Sequence, residues 1–175
     1  MTLAAKSLLL IAVLGLAACN NPDRYGAGGA GGAGGAGGAG GIDTTGLGDP
    51  NNPTSIAYFN QTVGDRVLFA NDQSTLSPEG RGILTAQANW LNQNTGYAAI
   101  IEGHADEKGT REYNLALGAR RAAAVQNFLI SQGVAANRLR TISYGKERPL
   151  EVCSEEACYA KNRRAVTVLS AGAGV

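Results

Sequence analysis

The chain has 175 residues, with 15 basic and 14 acidic side chains and a formal net charge of +1. That near-balance excludes a nucleic-acid role driven by phosphate neutralisation, which needs a basic surplus. Three cysteines and a single histidine are a poor supply for a zinc site, and the length suits one ordinary domain with extensions.

Residues 1–18 read as a targeting segment. Lys6 supplies a positive start, and Ser7 to Leu16 form an apolar stretch too short to span a bilayer. Leu16-Ala17-Ala18-Cys19 is similar to the lipobox of bacterial lipoproteins, in which the cysteine is acylated and becomes the first mature residue. The alternative is an ordinary secretory signal with a chance cysteine. Several acyl chains on Cys19 would anchor stably, because each buried CH₂ contributes about 0.8 kcal/mol while one chain alone is marginal. Residues 19–54 read as the lipidated N-terminus and a tether. Gly26 to Gly41 holds only glycine and alanine; it lacks the proline of collagen and cannot bury enough surface to offset its ordering entropy. As a flexible coil the tether reaches about 30–35 Å r.m.s., and about 110–120 Å when fully stretched.

Residues 55–170 read as the folded domain and 171–175 as a tail. Arg66 to Phe69 reads as a strand. Ser77-Pro78-Glu79 starts a helix: an N-cap serine, a proline at the first helical position and an acid in the first turn. Its inward stripe is Ile83, Leu84, Gln87, Ala88 and Leu91. Tyr97 to Ile101 is a short apolar run with the character of a buried strand. An acidic loop closed by Gly109 leads to a second helix, opened by Thr110 and ending at Gly133. Leu139 to Tyr144 is a third strand. Ser154-Glu155-Glu156 caps a short helix to about Lys161, and Ala165 to Leu169 is a last strand. Strands alternating with helices give an α/β two-layer sandwich, a mixed four-stranded sheet with helices packed on one face. Cys153 and Cys158, an even pair in an exported chain, predict a disulfide, contributing about 2 kcal/mol for so short a loop.

One charge stands on the oily face of the second helix. Asn114, Leu117, Arg121, Ala124, Val125, Phe128 and Leu129 recur at helical spacing. Arg121 therefore points toward the core, where a guanidinium needs an anionic or polar partner. Asp106, in the loop entering the same helix, is the nearest candidate in sequence. The two residues are expected to form the poles of a small cleft suited to a zwitterionic ligand, with Arg121 gripping a carboxylate and Asp106 accepting from an ammonium. Two plainer readings stand beside this: Asp106 and Arg121 pair with each other, or Asp106 caps the helix. His104 and Asp106 form an H-x-D pair, but no second cluster supplies further metal ligands. No serine stands in a nucleophile elbow, and no catalytic residue, metal or cofactor is assigned.

The run Gly103-His104-Ala105-Asp106-Glu107-Lys108-Gly109-Thr110, followed by Glu112-Tyr113-Asn114, Leu117-Gly118 and Arg120-Arg121-Ala122, resembles the outer-membrane-protein-A-like domain. The closer match is the domain of the peptidoglycan-associated lipoproteins. Ser143 to Pro149 and Lys161 to Val166 resemble its later segments. The resemblance implies non-covalent binding of peptidoglycan through the diaminopimelate of the stem peptide. Asp106 and Arg121 would contact that residue, Asn114 and Leu117 would shape the pocket, and the turn at Asn71 and Asp72 would form its far wall. Asn71 stands where the family usually has an aromatic. Lys108 replaces a common arginine and so forgoes a bidentate contact. Many relatives lack cysteines at the positions of Cys153 and Cys158. The resemblance further implies TolB and TolA as partners. It also implies the outer membrane as address, since Asn20 is not the aspartate that favours inner-membrane retention in some bacteria. The expected function is a periplasm-facing outer-membrane lipoprotein of the Tol–Pal system that tethers the membrane to the cell wall. The alternative is a lipid-anchored protein-interaction scaffold without wall binding.

Overall fold

The computed structural model describes residues 46–171; the expected signal segment, the Cys19 acylation site, the Gly/Ala run and the last four residues lie outside them. Ser55 opens the first helical segment by accepting from the Tyr58 N–H at 2.9 Å, the usual N-cap arrangement. α1 (Ile56–Tyr58) widens into π-helical turns over Phe59–Gly64. This carries Phe59 fully into the core against Trp90, ring centroids 5.0 Å apart. Sequence reading assigns no element here. So short a stretch carries little periodicity, and packing on Trp90 supplies what local propensity lacks.

β1 (Arg66–Leu68) and α2 (Pro78–Gln93) follow. Ser77 caps α2 by accepting from the Gly80 N–H at 3.0 Å, and Pro78 occupies the first turn. Leu84, Gln87, Ala88 and Leu91 are buried as the stripe predicts, Trp90 joins them, and Ile83 is half-buried. The buried Gln87 amide is engaged at both its nitrogen and its oxygen: it donates to the Gly64 carbonyl at 2.6 Å and accepts from the Thr167 hydroxyl at 2.8 Å, as a polar group out of water requires.

β2 (Tyr97–His104) runs on past the apolar segment. The ladder continues there, with Glu102 opposite Val166 and Gly103 opposite Ala165. Thr110 caps α3 (Arg111–Ser131) by accepting from the Tyr113 N–H at 3.2 Å. At its far end Gly133 takes φ 92°, and the N–H groups of Gly133 and Val134 return to the carbonyls of Ile130 and Leu129. β3 (Leu139–Gly145), α4 (Glu156–Asn162) and β4 (Arg164–Ala171) complete the domain. Ser154 does not cap α4. Glu155 holds that position without a side-chain bond, and the approach is fixed by other ties. Cys153 and Cys158 are disulfide-bonded, Cα–Cα 6.0 Å, and the Asn162 side-chain oxygen Oδ1 accepts from the N–H groups of Leu150 and Glu151 at 2.7 and 3.1 Å.

The strand order is β1-β4-β2-β3, with β2 and β3 parallel and the other pairs antiparallel. Tyr97, Ala99, Ile101, Ala165 and Leu169 are buried beneath the helices, while Ile100, Ile142 and Val168 are exposed on the opposite face, the period-2 alternation of a sheet covered on one side. α3 lies very close to β2. A Cβ on Gly103 would overlap the carbonyl of Gly118, and one on Gly118 would meet the Ser143 hydroxyl. Both glycines are there for proximity, and they set how near the head of α3 comes to the loops that follow β1 and β2.

Candidate functional site

Those loops and the head of α3 enclose a cleft of about 330 Å³. The loop after β1 contributes Asn71 and Asp72. The loop after β2 contributes Asp106, Lys108 and Gly109, and α3 contributes Tyr113, Asn114 and Leu117. Of the residues singled out in the sequence, Asn71, Asp72, Asp106, Asn114 and Leu117 thus meet in one place. Asn114 also builds the loop, donating from its amide to the Lys108 carbonyl at 2.7 Å. Lys146 holds the same loop from β3's side by donating to the Gly109 carbonyl at 2.7 Å. Tyr113, which sequence reading did not single out, donates its hydroxyl to the Asp72 carboxylate and so joins the two sides of the cleft. That hydrogen bond, ahead of burial and of the Asp72 charge, raises the Tyr113 pKa.

Arg121 stands behind this cleft rather than in its lining. It is 0 % exposed. Nε donates to the Gln73 carbonyl at 2.8 Å, Nη1 to the His104 carbonyl at 2.7 Å and Nη2 to the Ala70 carbonyl at 3.2 Å. One side chain therefore braces both ends of the turn carrying Asn71 and Asp72 and ties that turn to the end of β2. Three of the five guanidinium N–H donors are used in this way. The guanidinium also lies 5.2 Å from the Phe69 ring centroid, within cation–π range. Burial lowers its pKa to about 10, with Asp106 and Asp72 opposing the shift and Arg163 adding to it, so the group is cationic at neutral pH. Arg121 makes no ion pair with Asp106, yet the charges of both cleft carboxylates act on it.

Asp106 has other partners, and it does not cap α3. It is 6 % exposed; Oδ1 accepts from the Lys108 N–H at 3.2 Å and Oδ2 from Arg163 Nη1 at 3.2 Å. Arg163 in turn donates to Glu156 at 2.5 Å and to the Phe69 carbonyl at 3.3 Å. Burial opposes the Arg163 charge, but the hydrogen bonds to Glu156 and Asp106 outweigh it and leave the pKa raised. Asn162 adds a tie by donating to Glu107 at 2.9 Å. His104 does not share the cleft with Asp106. Its ring stacks on Tyr144, centroids 5.6 Å apart, and neither ring nitrogen has a hydrogen-bond partner. Nε2 lies 3.5 Å from the Glu102 carboxylate without making a hydrogen bond. Burial first, then Arg164 and Arg148, lowers the His104 pKa to about 4, so the imidazole is neutral at pH 7. The H-x-D pair is split because β2 ends at His104 and Asp106 already belongs to the loop that follows, outside the strand's alternation. Among the described residues no group of three or more His, Cys, Asp or Glu side chains is placed to hold a metal.

Residues 68–163 match the model of the OmpA family. The peptidoglycan-associated lipoprotein of Mesorhizobium japonicum is 58% identical over 122 residues, covering 70% of this chain and 72% of that protein. The protein of the same description from Haemophilus influenzae is 39% identical over 162 residues, covering 92% of this chain and 95% of that one. The crystal structure of the peptidoglycan-associated lipoprotein from Burkholderia pseudomallei superposes with a TM-score of 0.62 at 36% identity, covering 70% of this chain and 100% of that chain. The chain belongs to the OmpA family, among its peptidoglycan-associated lipoproteins.

Proposed function

We propose that this chain is a periplasm-facing outer-membrane lipoprotein that grips peptidoglycan reversibly and so tethers the membrane to the cell wall. Its lipid sits on Cys19, the Gly/Ala-rich segment is the leash, and the domain is the grip. The observation that carries the reading is a cleft of both signs. Asp72 and Asp106 offer carboxylates to an ammonium, while Lys108 in the lining and the buried Arg121 charge behind it favour a carboxylate. The free end of diaminopimelate in a stem peptide carries both groups on one carbon. Arg121, buried behind the lining, favours that carboxylate through its charge. Asn114 and Leu117 shape the cleft between the charges, and Asn71 completes the far wall. The role is binding, not catalysis. We propose further, from the family resemblance alone, that the chain works in the Tol–Pal system, with TolB and TolA as protein partners and with envelope integrity and cell division as the processes served.

Retention of the full chain, held in detergent, on isolated sacculi tests the proposal. Diaminopimelate-type wall is expected to retain it better than lysine-type wall, because lysine ends in an ammonium with no carboxylate beside it. Equal retention on both refutes the zwitterion reading and favours a protein-binding scaffold. Asp106→Ala and Arg121→Ala are each expected to weaken retention by about 2–5 kcal/mol, the range for losing one member of a buried charged contact. Unchanged retention by both variants removes the cleft from the mechanism. Mass spectrometry for acyl chains on Cys19 tests the anchor separately.

A further inference from the structure

β1 is an outer strand of the sheet, bonded to β4 on one flank. Its register decides which way its main chain faces. The Thr167 N–H donates to the Asp65 carbonyl at 2.7 Å and the Phe69 N–H to the Arg163 carbonyl at 2.8 Å, so the odd-numbered residues spend their groups on β4. Between them, Arg66 opposite Val166 and Leu68 opposite Arg164 are the non-hydrogen-bonded pairs of an antiparallel ladder, and their N–H and C=O groups point outward. These groups have no partner among the described residues. Beside that edge lies a groove of about 440 Å³. It is lined by Arg66 and Leu68 of β1, Gly80 and Ile83 of α2, Leu150 of the loop before α4 and Lys161 of α4. It shares no lining residue with the cleft. Leu68 is 51 % exposed and Leu150 49 %. A short edge strand with a charged residue is a common guard against stray pairing, but a guarded edge does not set two exposed leucines beside open main-chain groups. Such groups next to an apolar groove are the two parts of recognition by strand addition. The first bind any extended chain, and the second selects a side chain.

The charges narrow the occupant. Arg66 gives Asp65 two of its five N–H donors, and Lys161 gives Glu151 one of its three. Both side chains are exposed and line the groove, so their remaining donors are open to a visitor. Glu79, the acid in the lining, sits in the first turn of α2, where it serves that helix's own N–H groups. The open charges are therefore positive. A second copy docked edge to edge would carry the same Arg66 and Lys161 to the same interface, and like charges facing across strands repel. An extended segment of the opposite sign meets no such opposition. We infer that the β1 edge and this groove dock an extended peptide segment of another protein, one with a bulky aliphatic residue flanked by carboxylates. The segment lies along β1 as a fifth strand and exchanges main-chain hydrogen bonds with Arg66 and Leu68. Its aliphatic side chain enters between Leu68, Ile83 and Leu150, and its carboxylates meet Arg66 and Lys161. The inference is independent of the peptidoglycan reading.

The probe is a blocked, fluorescein-labelled heptapeptide with leucine at its centre, valine on each side of it, glutamate at the second and sixth positions and threonine at the ends. Alternation puts both glutamates on the leucine's face. Anisotropy is read against the full chain in detergent, with detergent alone as the blank. Saturable binding is expected, together with slowed hydrogen exchange at the Arg66 and Leu68 amides. N-methylating one alternate set of peptide nitrogens is expected to weaken binding by about tenfold, the range for two hydrogen bonds, and methylating the other set by at most about twofold. Leu68→Ala is expected to cost about tenfold through lost apolar contact. Lys161→Glu is expected to weaken binding about threefold and to favour a peptide with lysines in place of the glutamates. No saturable binding up to about 1 mM peptide overturns the inference. Equal losses from both methylated sets overturn it too, since they show an apolar contact without strand pairing. So does unchanged affinity in Leu68→Ala. Protection of the Arg66 and Leu68 amides that rises with protein concentration and without peptide overturns it in favour of a second copy.

Discussion

Replacing Arg121 separates a brace from a contact. Its guanidinium serves three carbonyls belonging to two loops. Arg121→Ala leaves the Ala70, Gln73 and His104 carbonyls without that donor and opens a space the size of the longest fully buried side chain in the domain. Hydrogen bonds to a charged group contribute about 1.5–3 kcal/mol each. They are not additive, and keeping Arg121 out of water has its own cost. The net loss is about 3–5 kcal/mol, a large share of the 5–15 kcal/mol typical of a domain. Arg121→Lys should fall between, because an ammonium reaches one or two of the carbonyls and lacks the planar fork that reaches all three. Urea denaturation followed by circular dichroism reads both values, and calorimetry at a concentration where the variant is folded reads binding. If Arg121→Ala unfolds within about 1 kcal/mol of the unsubstituted chain yet no longer binds wall fragments, the bracing role assigned to Arg121 is wrong.

Three further outcomes are expected. Gly103→Ala should cost more than about 3 kcal/mol, since its methyl would meet the α3 backbone at Gly118; an unchanged denaturation midpoint would contradict the close approach of α3 to β2. His104 should make stability fall with pH. Its folded pKa is depressed to about 4, so the unfolded chain binds a proton as pH drops through about 6.5 while the folded chain does not. Stability is therefore full above about pH 6.5 and declines toward pH 4, by up to about 3 kcal/mol. His104→Phe, which keeps a ring on Tyr144 and gives up no hydrogen bond, should flatten that decline, and identical slopes would refute the assignment. Reducing the Cys153–Cys158 bond should cost about 2 kcal/mol and shift the thermal midpoint by several degrees; a non-reducing peptide map establishes the bond, and equal midpoints with and without reductant would show that it contributes nothing.

Features written in adjacent residues were legible in the sequence. Ser77-Pro78 and Thr110 mark helix starts, and the capping bonds to Gly80 and Tyr113 are local. Arg121 announced its burial by standing on an apolar stripe, and it is buried. What holds it was not legible, because its partners are main-chain carbonyls 17 to 51 residues away and a carbonyl is the same at every residue. The Asp106–Arg163 pair spans 57 residues. Its only trace was that Arg163 lies in a run of two arginines after Asn162, with no spacing to connect it to the acidic loop. Tyr113 could have been found, since it precedes Leu117 by one turn and shares its side of α3. The helical segment at 56–64 escaped because Phe59 belongs there only once Trp90 is present to receive it. The central place of β4 is a property of the whole sheet and is not written in any one strand.

The chain enters the domain at one end and the cleft opens at the other. Tyr97 and Trp90 hold the incoming backbone by donating to the Thr54 and Pro53 carbonyls at 2.7 and 2.8 Å, beside the first residue of β2, whereas the acidic loop begins just past its last. Were the chain anchored through its N-terminal segment and a ligand held in the cleft, as proposed, a pull between them would act along the length of β2, about 26 Å of strand at 3.3 Å per residue. Bonded to β3 on one flank and β4 on the other, that strand is loaded in shear. Its rungs share the force and must give way together instead of unzipping singly. Under such tension, survival is set by the rate of that rupture and not by equilibrium stability alone.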